Sequence, residues 1–375
     1  MAKINVRSPY YVSITAANLS SVDMQLYIYS GTQVTDRTSG TLFNLRSTAI
    51  SNISTFEIGE VVKDYIANTF EGDYTNLNIW VDYRTINNFQ GTSTPPSDYT
   101  LLTGFYGYGY FEDGANPQLN EQYLQTNRTI LKWKDEPLRI PVDTSRAFGV
   151  AFTNFEGGIN QTYLTPSDQS DGQIAYVYSD GSTFGSYESR VLADGGTIES
   201  SECLNSFFDN IDPFDVDTVY IISIDSPRVI DVIKVKDIEE CKYQPYKLTF
   251  ENRYGALQDI WFFKRTNEKL ATTKETFKRN IIVNGTYNTS RHQTKILTKN
   301  GVEKLTLNTG FYPELYNDVF KELQLSENVW IEFDNKTLPV NIDSGGFDYK
   351  TSLNDKLINY TIDVSFAFDT INNIR

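Results

Sequence analysis

The stretch that most constrains the fold is INYTIDVSFAF, residues 358–368. Ile358, Tyr360, Ile362, Val364, Phe366 and Phe368 occupy every second position, with Asn359, Thr361, Asp363, Ser365 and Ala367 between them. A period of two gathers the apolar side chains on one face of a strand and scatters them around a helix, so the segment is expected to be β. Unbroken, it would run about 36 Å at roughly 3.3 Å per residue, near twice the usual strand length. An apolar face of that length needs a curved sheet, a barrel wall or a long sandwich to cover it.

The remaining sequence leans the same way. The whole chain's 25 Tyr and 23 Phe favour strands, and its 375 residues are enough for two or three domains without a disulfide or metal framework. Residues 1–90 are expected to form a small β-sandwich with strands at Tyr10–Ala16, Met24–Ser30 and Leu77–Tyr83. In FEIGEVVKDYI a strand runs into a helix, because Ile58, Val61, Val62, Tyr65 and Ile66 share one helical stripe. The Asn/Ser/Thr/Pro-rich segment 86–100 is the first expected boundary. Residues 91–240 then continue in short strands (AFGVAFTNF, QIAYVYS, VYIISID, VIDVIKV) at sandwich-like spacing. Residues 241–375 form the third part. There KILTKNGVEKLTL predicts a two-residue type I′ hairpin at Asn300-Gly301, and Asn284-Gly285 is a second turn signal. A helix over 313–323 follows, with Pro313 at its first position and Leu315, Tyr316, Val319, Phe320 and Leu323 as the buried stripe. VWIEF and LPVNI are strands. The expected class is therefore mainly β: several β-sandwiches, with a C-terminal sandwich or barrel carrying one amphipathic helix.

Charge is unevenly placed. Residues 1–240 hold 15 Lys+Arg against 32 Asp+Glu, −17, and residues 241–375 hold 18 against 16, +2. The acidic part repels phosphate backbones, so no nucleic-acid partner is expected there, and the near-neutral part suits packing against protein. The start, MAKINVRSPYYVSIT, has no apolar signal region and no stretch approaches a membrane span, which predicts a soluble product made in a cytoplasm with no membrane partner. The N-x-S/T triplets at Asn52 and Asn284 are then ordinary polar turns.

Chemistry is constrained mainly by exclusion. His292 is the single histidine, which removes HExxH, three-His and facial-triad metal sites, and it sits in a polar hairpin approach as a solvated residue. No phosphate-binding glycine loop, dinucleotide fingerprint or GxSxG elbow is present. Carboxylate pairs for glycoside hydrolysis have no spacing signature and stay open. The acidic runs at 168–172 and 209–217 fit ordinary turns, with a Ca²⁺ site as the alternative, although neither matches a twelve-residue calcium loop. No metal or cofactor is expected. Cys203 and Cys241 form no CxxC pair; Cys241 is either a small buried hydrophobe or a partner for Cys203.

Two aromatic groups are candidate sites. In LLTGFYGYGYFEDG, a strand would put Gly107 and Gly109 on one face and Tyr106, Tyr108 and Tyr110 on the other. That arrangement is either a strand crossed tightly by a neighbour or an aromatic platform for a ligand, to which Trp80 or Trp133 could add. In CKYQPYKLTFENRYGALQDIWFF, Tyr246, Leu248 and Phe250 alternate, Asn252-Arg253-Tyr254-Gly255 signals a turn, and a second strand ends in Trp261-Phe262-Phe263. That run is expected as contact surface, inside the fold or between subunits.

The same residues carry a resemblance. RSPYYVSIT, FEIGEVVKDYI, C-x-Y-x-P followed by F-x-N-R-x-G-A-x-Q-D-x-W-F-F at 241–263, LNTGFYPE at 307–314, SENVW at 326–330 and DKLINYTIDVSFA at 355–367 resemble virion structural proteins of tailed bacteriophages, nearest those of phages of Bacteroidetes and marine bacteria. The likeness covers roughly the first 85 and last 135 residues. It implies a non-enzymatic tail, neck or baseplate subunit, hub- or tube-like in its last third, located in the virion and packed in a ring with copies of itself and other virion proteins. No catalytic residue comes with it. Trp261, Phe262, Phe263, Phe320 and Trp330 are the candidate assembly contacts. The rival readings are a head fibre or glycan-binding protein using Tyr106, Tyr108 and Tyr110, and a glycoside hydrolase.

Overall fold

Alternating apolar residues become strands along most of this chain, and the computed structural model is 55% strand and 8% helix, which makes it mainly β. It describes residues 2–31, 33–66, 69–74, 78–118, 121–146, 148–156, 159–165, 174–179, 183–184, 188–191, 212, 214–223, 228–343 and 357–371. Two compact units are present: Met1–Glu239 with Thr249–Ile260, and Glu240–Leu248 with Trp261–Arg375.

The first unit opens with β1 (Ala2–Asn5), β2 (Tyr11–Thr15), β3 (Leu19–Tyr29), β4 (Thr41–Thr48), β5 (Ile53–Glu57), α1 (Gly59–Lys63), β6 (Ile79–Phe89), β7 (Thr92–Ser93) and β8 (Thr100–Phe105). One sheet has the order β1-β8-β6-β3-β4, with β7 on β6, while β2 and β5 pair separately. Met24, Leu26 and Ile28 are buried as their alternation predicts. Of the stripe in FEIGEVVKDYI, Ile58, Val62 and Ile66 are buried, but Tyr65 is exposed because α1 is only five residues long. Residues 86–100 are tied to this sheet: β6 and β7 take up 86–89 and 92–93, and beyond them the Thr94 N–H donates to Asn87 O and the Ser97 N–H to Thr85 O, both at 2.9 Å.

The same unit continues with β9 (Thr129–Trp133), β10 (Arg139–Asp143), β11 (Phe148–Thr153), β12 (Ile159–Thr165), β13 (Ile174–Tyr178), β14 (Thr183–Phe184), β15 (Glu188–Val191), β16 (Thr218–Ser223) and β17 (Arg228–Ile238). A β10-β13-β14 sheet and a β15-β12-β11-β16-β17-β9 sheet enclose one apolar core. Ile140, Val142 and Val177 from the first meet Phe148, Val150, Phe152, Ile221 and Ile233 from the second, a sandwich.

CKYQPYKLTFENRYGALQDIWFF folds as predicted into β18 (Tyr246–Glu251), a turn and β19 (Leu257–Phe262). The turn is organised by Asn252, whose side chain is fully buried. Its Nδ2 donates to Leu124 O (2.7 Å) and Gln258 Oε1 (3.0 Å), and its Oδ1 accepts from the N–H groups of Tyr254 (3.0 Å) and Ala256 (3.1 Å). Gly255 takes φ +77°, and a Cβ there would lie 2.8 Å from the backbone nitrogens of Tyr106 and Gly107.

The second unit is completed by β20 (Lys264–Lys278), β21 (Thr294–Pro313), α2 (Asn317–Leu325), β22 (Val329–Phe333), β23 (Lys336–Ile342) and β24 (Leu357–Phe366). The seven-stranded sheet has the order β19-β18-β22-β23-β24-β21-β20. On β24, Ile358, Tyr360, Ile362, Val364 and Phe366 are all buried, whereas Phe368 lies beyond the strand and is exposed. The strand is thus shorter than expected, and its partner β21 shifts register between Asn308 and Phe311.

The hairpin predicted at Asn300-Gly301 is not there. β21 runs through both residues, with Gly301 opposite Thr272, and the Asn300 side chain is held by Asp369 Oδ2 and the Ile371 N–H. Twenty residues of cross-strand pairing override the local turn preference. The turn is at Asn284-Gly285, both with positive φ, where Val283 and Thr286 exchange backbone hydrogen bonds of 2.8 and 3.1 Å. A second tight turn, unread in the sequence, is Asp334-Asn335, also with positive φ, between β22 and β23. The expected helix start also moves: Pro313 ends β21, a 3₁₀ turn covers Glu314–Tyr316, and α2 follows. Tyr316, Val319, Phe320 and Leu323 are buried, but Leu315 is exposed because it lies in that turn.

Gly255 and Gly285 share φ +77°, yet a Cβ on Gly285 meets nothing within 4 Å. Gly285→Ala should cost about 1–2 kcal/mol, the left-handed penalty alone, and Gly255→Ala about 3 kcal/mol or more once overpacking is added. Urea denaturation of the two variants checks this; equal losses would contradict the role given to the turn.

Candidate functional site

Strand β8 stops at Phe105, so the Tyr-Gly run that follows is not the extended strand its alternation suggested. A Cβ on Gly107 would lie 2.6 Å from Arg253 O, and one on Gly109 would lie 2.3 Å from Pro117 Cδ. The Tyr108 N–H donates to Arg253 O at 2.9 Å. These glycines are therefore crossings of one chain segment over another. Tyr106 and Tyr108 are buried and Tyr110 is half-buried. The Arg7 guanidinium lies 4.7 Å from the Tyr108 ring centre, Arg253 lies 4.7 Å from Tyr110, and Tyr108 meets Tyr110 edge-on at 5.8 Å. A sugar would need those ring faces, and the chain's own cations occupy them. The exposed aromatic platform is thereby corrected to an internal cation–π stack. Trp80 is buried with its indole N–H donating to Gly31 O (2.7 Å), and Trp133 sits on β9.

A polar network in the first unit was not read from sequence. Arg139 on β10 donates from Nη1 to Asp259 Oδ2 (2.9 Å) and to the Tyr74 hydroxyl (2.8 Å), and from Nη2 to Glu136 Oε2 (3.3 Å). Asp259 Oδ1 accepts from Tyr74 (2.5 Å) and from Thr249 Oγ1 (2.8 Å). Burial pushes the Tyr74 hydroxyl well above the usual tyrosine range, and the Asp259 charge adds to this. Burial opposes the Arg139 charge, but Tyr74, Asp259 and Glu136 outweigh it and raise its pKa. Tyr74 is thereby held as the neutral phenol and Arg139 as the cation, with their partners already engaged. The arrangement ties together segments up to 185 residues apart, which is the work of a scaffold. No local spacing signals it, because its members come from separate strands.

The aromatic residues expected as assembly contacts lie inside the chain. Trp261, Phe262, Phe263, Phe320 and Trp330 are all buried. In the second unit, Trp261 stacks on Phe263 (6.3 Å), Phe263 on Tyr312 (6.2 Å), and Tyr312 meets Phe320 edge-on (5.9 Å). The Tyr312 hydroxyl donates to Trp261 O at 2.6 Å. These side chains fill the interior because sheet and helix faces close over them, so the subunit-contact role is corrected to core packing.

Cys241 is exposed with a free thiol, not a small buried hydrophobe; Cys203 lies outside the described residues. The acidic run 168–172 lies outside them too. In the described part of the other run, Asp212 Oδ1 accepts from the Phe214 N–H (3.0 Å) and Asp212 O from the Asp215 N–H (2.9 Å), a turn, while Asp217 Oδ1 accepts from Thr153 Oγ1 (3.2 Å) on β11. Among the described residues no group of three or more His, Cys, Asp or Glu is arranged to hold a metal ion. His292 is exposed. No described helix is long and apolar enough to cross a membrane.

What remains at the surface is β20 with β21. Leu270, Phe277, Ile282, Val283, Tyr287, Ile296 and Leu297 are all exposed there, by 40–65%. β24 pairs with β21 only from Lys304 to Pro313, and just beyond it the Thr370 N–H donates to Gly301 O at 2.7 Å, so residues 294–299 pair with β20 alone. The outer part, Lys274–Lys278 against Thr294–Lys299, is a two-stranded ribbon of about 16 Å at roughly 3.3 Å per residue.

No family identification comes from comparison with known proteins. No protein-family model and no curated protein matches the chain. A search of solved structures returns Bacillus licheniformis rhamnogalacturonan lyase PL11 at 11% identity, covering 82% of this chain and 40% of that one, with a TM-score of 0.10. A score that low carries no likeness of fold.

The network and the buried tyrosines set the alkaline behaviour. Tyr74, Tyr176 and Tyr312 are raised above the ordinary 10.0, in each case chiefly by burial. Their contribution to stability is whole below pH 10.0, shrinks as the unfolded-state tyrosines ionise above it, and continues to fall towards the folded-state values. In a titration followed at 295 nm, part of the 25 tyrosines should ionise with the fold intact and the rest only as near-UV circular dichroism is lost. Full ionisation in a folded protein would refute this. Removing one partner separates the network's terms: Tyr74→Phe should cost about 1–2 kcal/mol and Arg139→Met about 3–5 kcal/mol, the latter by stranding Asp259.

Proposed function

We propose that this chain is a non-enzymatic structural subunit of a tailed-phage virion, a tail, neck or baseplate component that assembles in a ring with its own copies. The observation that carries the reading is the ribbon, which displays large apolar side chains outside any core. An isolated two-stranded hairpin is at best marginally stable in water, and exposed apolar groups of this extent suit a protein partner. The sequence resemblance supports the same role, since DKLINYTIDVSFA and LNTGFYPE supply β24, the end of β21 and the start of the turn leading to α2, which build the sheet from which the ribbon extends. Closed rings arise when one surface meets a different surface on the next copy through a rotation that closes.

Sedimentation and negative-stain electron microscopy of the purified protein should show a cyclic oligomer, and immunogold labelling should place it on virions. A protein that is monomeric at about 100 µM, a concentration that populates even weak specific complexes, and absent from particles would overturn the proposal.

A further inference from the structure

The near-neutral balance of the last third hides a segregation. Residues 264–304 hold ten Lys+Arg against three Asp+Glu, +7, and the rest of the chain holds 23 against 45, −22. The ribbon therefore carries the chain's whole positive surplus. Internal ion pairs engage its basic groups at the base. Lys264 pairs with Glu240 (2.5 Å) and Lys304 with Asp343 (2.6 Å), both near its base. Beyond them, Lys274, Lys278, Lys295 and Lys299 are exposed and, among the described residues, have no acidic partner.

The register sharpens this. Lys274 is directly opposite Lys299. Like charges at opposed positions weaken a strand pair, and an exposed two-stranded ribbon has little stability to lose. Alternation puts Leu270, Lys274 and Lys278 on one face of β20, and Ile296 and Lys299 face them from β21. Leu297 is the extra residue at the register shift and is 65% exposed. One face thus offers lysines interleaved with aliphatic side chains. A matching surface must be acidic and partly apolar, which a phosphate backbone is not.

We infer that the ribbon docks on the acidic first unit of a second copy of this chain. That unit, residues 1–239 and 249–260, supplies 33 carboxylates against 16 cations, and exposed Phe155 and Phe214 adjoin exposed Glu156 and Asp215. Opposite charge steers the encounter and fixes register, and the aliphatic groups supply the buried contact. The inference rests on the ring reading and assigns the two surfaces that meet.

The test mixes ¹⁴N- and ¹⁵N-labelled protein, couples amines to carboxylates with a zero-length carbodiimide, and maps the links by mass spectrometry beside sedimentation at 50 and 500 mM NaCl. Expected are links from Lys274, Lys278, Lys295 or Lys299 to carboxylates in the first unit of the differently labelled copy. The double variant Lys274→Glu/Lys299→Glu keeps a like-charge pair and reverses its sign, so the cross-strand repulsion stays while the ribbon's net charge falls from +7 to +3. It should weaken association about tenfold at 50 mM NaCl and much less at 500 mM. An oligomer that persists unchanged in that variant, without such links, overturns the inference and leaves the ring intact. A monomeric wild type overturns the ring reading itself. Ribbon-dependent retention of duplex DNA or of anionic phosphatidylglycerol vesicles, with no links between copies, assigns the lysines to that polyanion and overturns the inference.

Discussion

The buried amide of Asn252 is the constraint on which the first unit's discontinuous chain depends. An amide has two donor hydrogens and two acceptor lone pairs, and here both kinds are filled from Leu124, Gln258, Tyr254 and Ala256. No polar capacity is left over in a side chain without solvent exposure. The turn so fixed holds Arg253 O where Tyr108 donates to it, and holds Gly255 against Tyr106 and Gly107. Seven residues further along the same hairpin, Asp259 gathers Tyr74, Arg139 and Thr249. Residues 249–260 belong to the first unit because such contacts, rather than chain continuity, decide membership.

The aromatic content has the same logic. Tyrosine and phenylalanine in a mainly β chain supply core volume, and buried tyrosine hydroxyls need partners. Tyr74 finds Asp259, Tyr312 finds Trp261 O, and Tyr176 accepts from the Leu257 N–H at 2.8 Å. Rows of aromatics that look like a recognition surface on a line of sequence are, in space, faces already covered by arginines or by other rings.

Function then has to be sought where the fold leaves groups unspent. Ion pairs such as Arg37 with Asp82 and Arg128 with Asp231 consume charge within the first unit, while the ribbon's outer lysines and aliphatic side chains have no such use in the second. A surface of that kind suits an assembly subunit whose contacts are made between copies.

Sequence alone determined the β class, the burial of one face of β24, the β18–β19 hairpin and the strand-to-helix passage at 56–63, because each rests on local periodicity or turn chemistry. It misjudged Asn300-Gly301 and Leu315, where the local signal was sound and the structure around it won, and of its two readings of the Tyr-Gly run only the tight crossing holds. It also averaged the charge of residues 241–375 to near neutrality. Only the tertiary structure decided that Trp261, Phe262, Phe263, Phe320 and Trp330 are core, that Asp259 is a junction, and that the basic residues share one exposed ribbon. Alternation says which side chains share a face, but whether that face is covered depends on strands tens to hundreds of residues away.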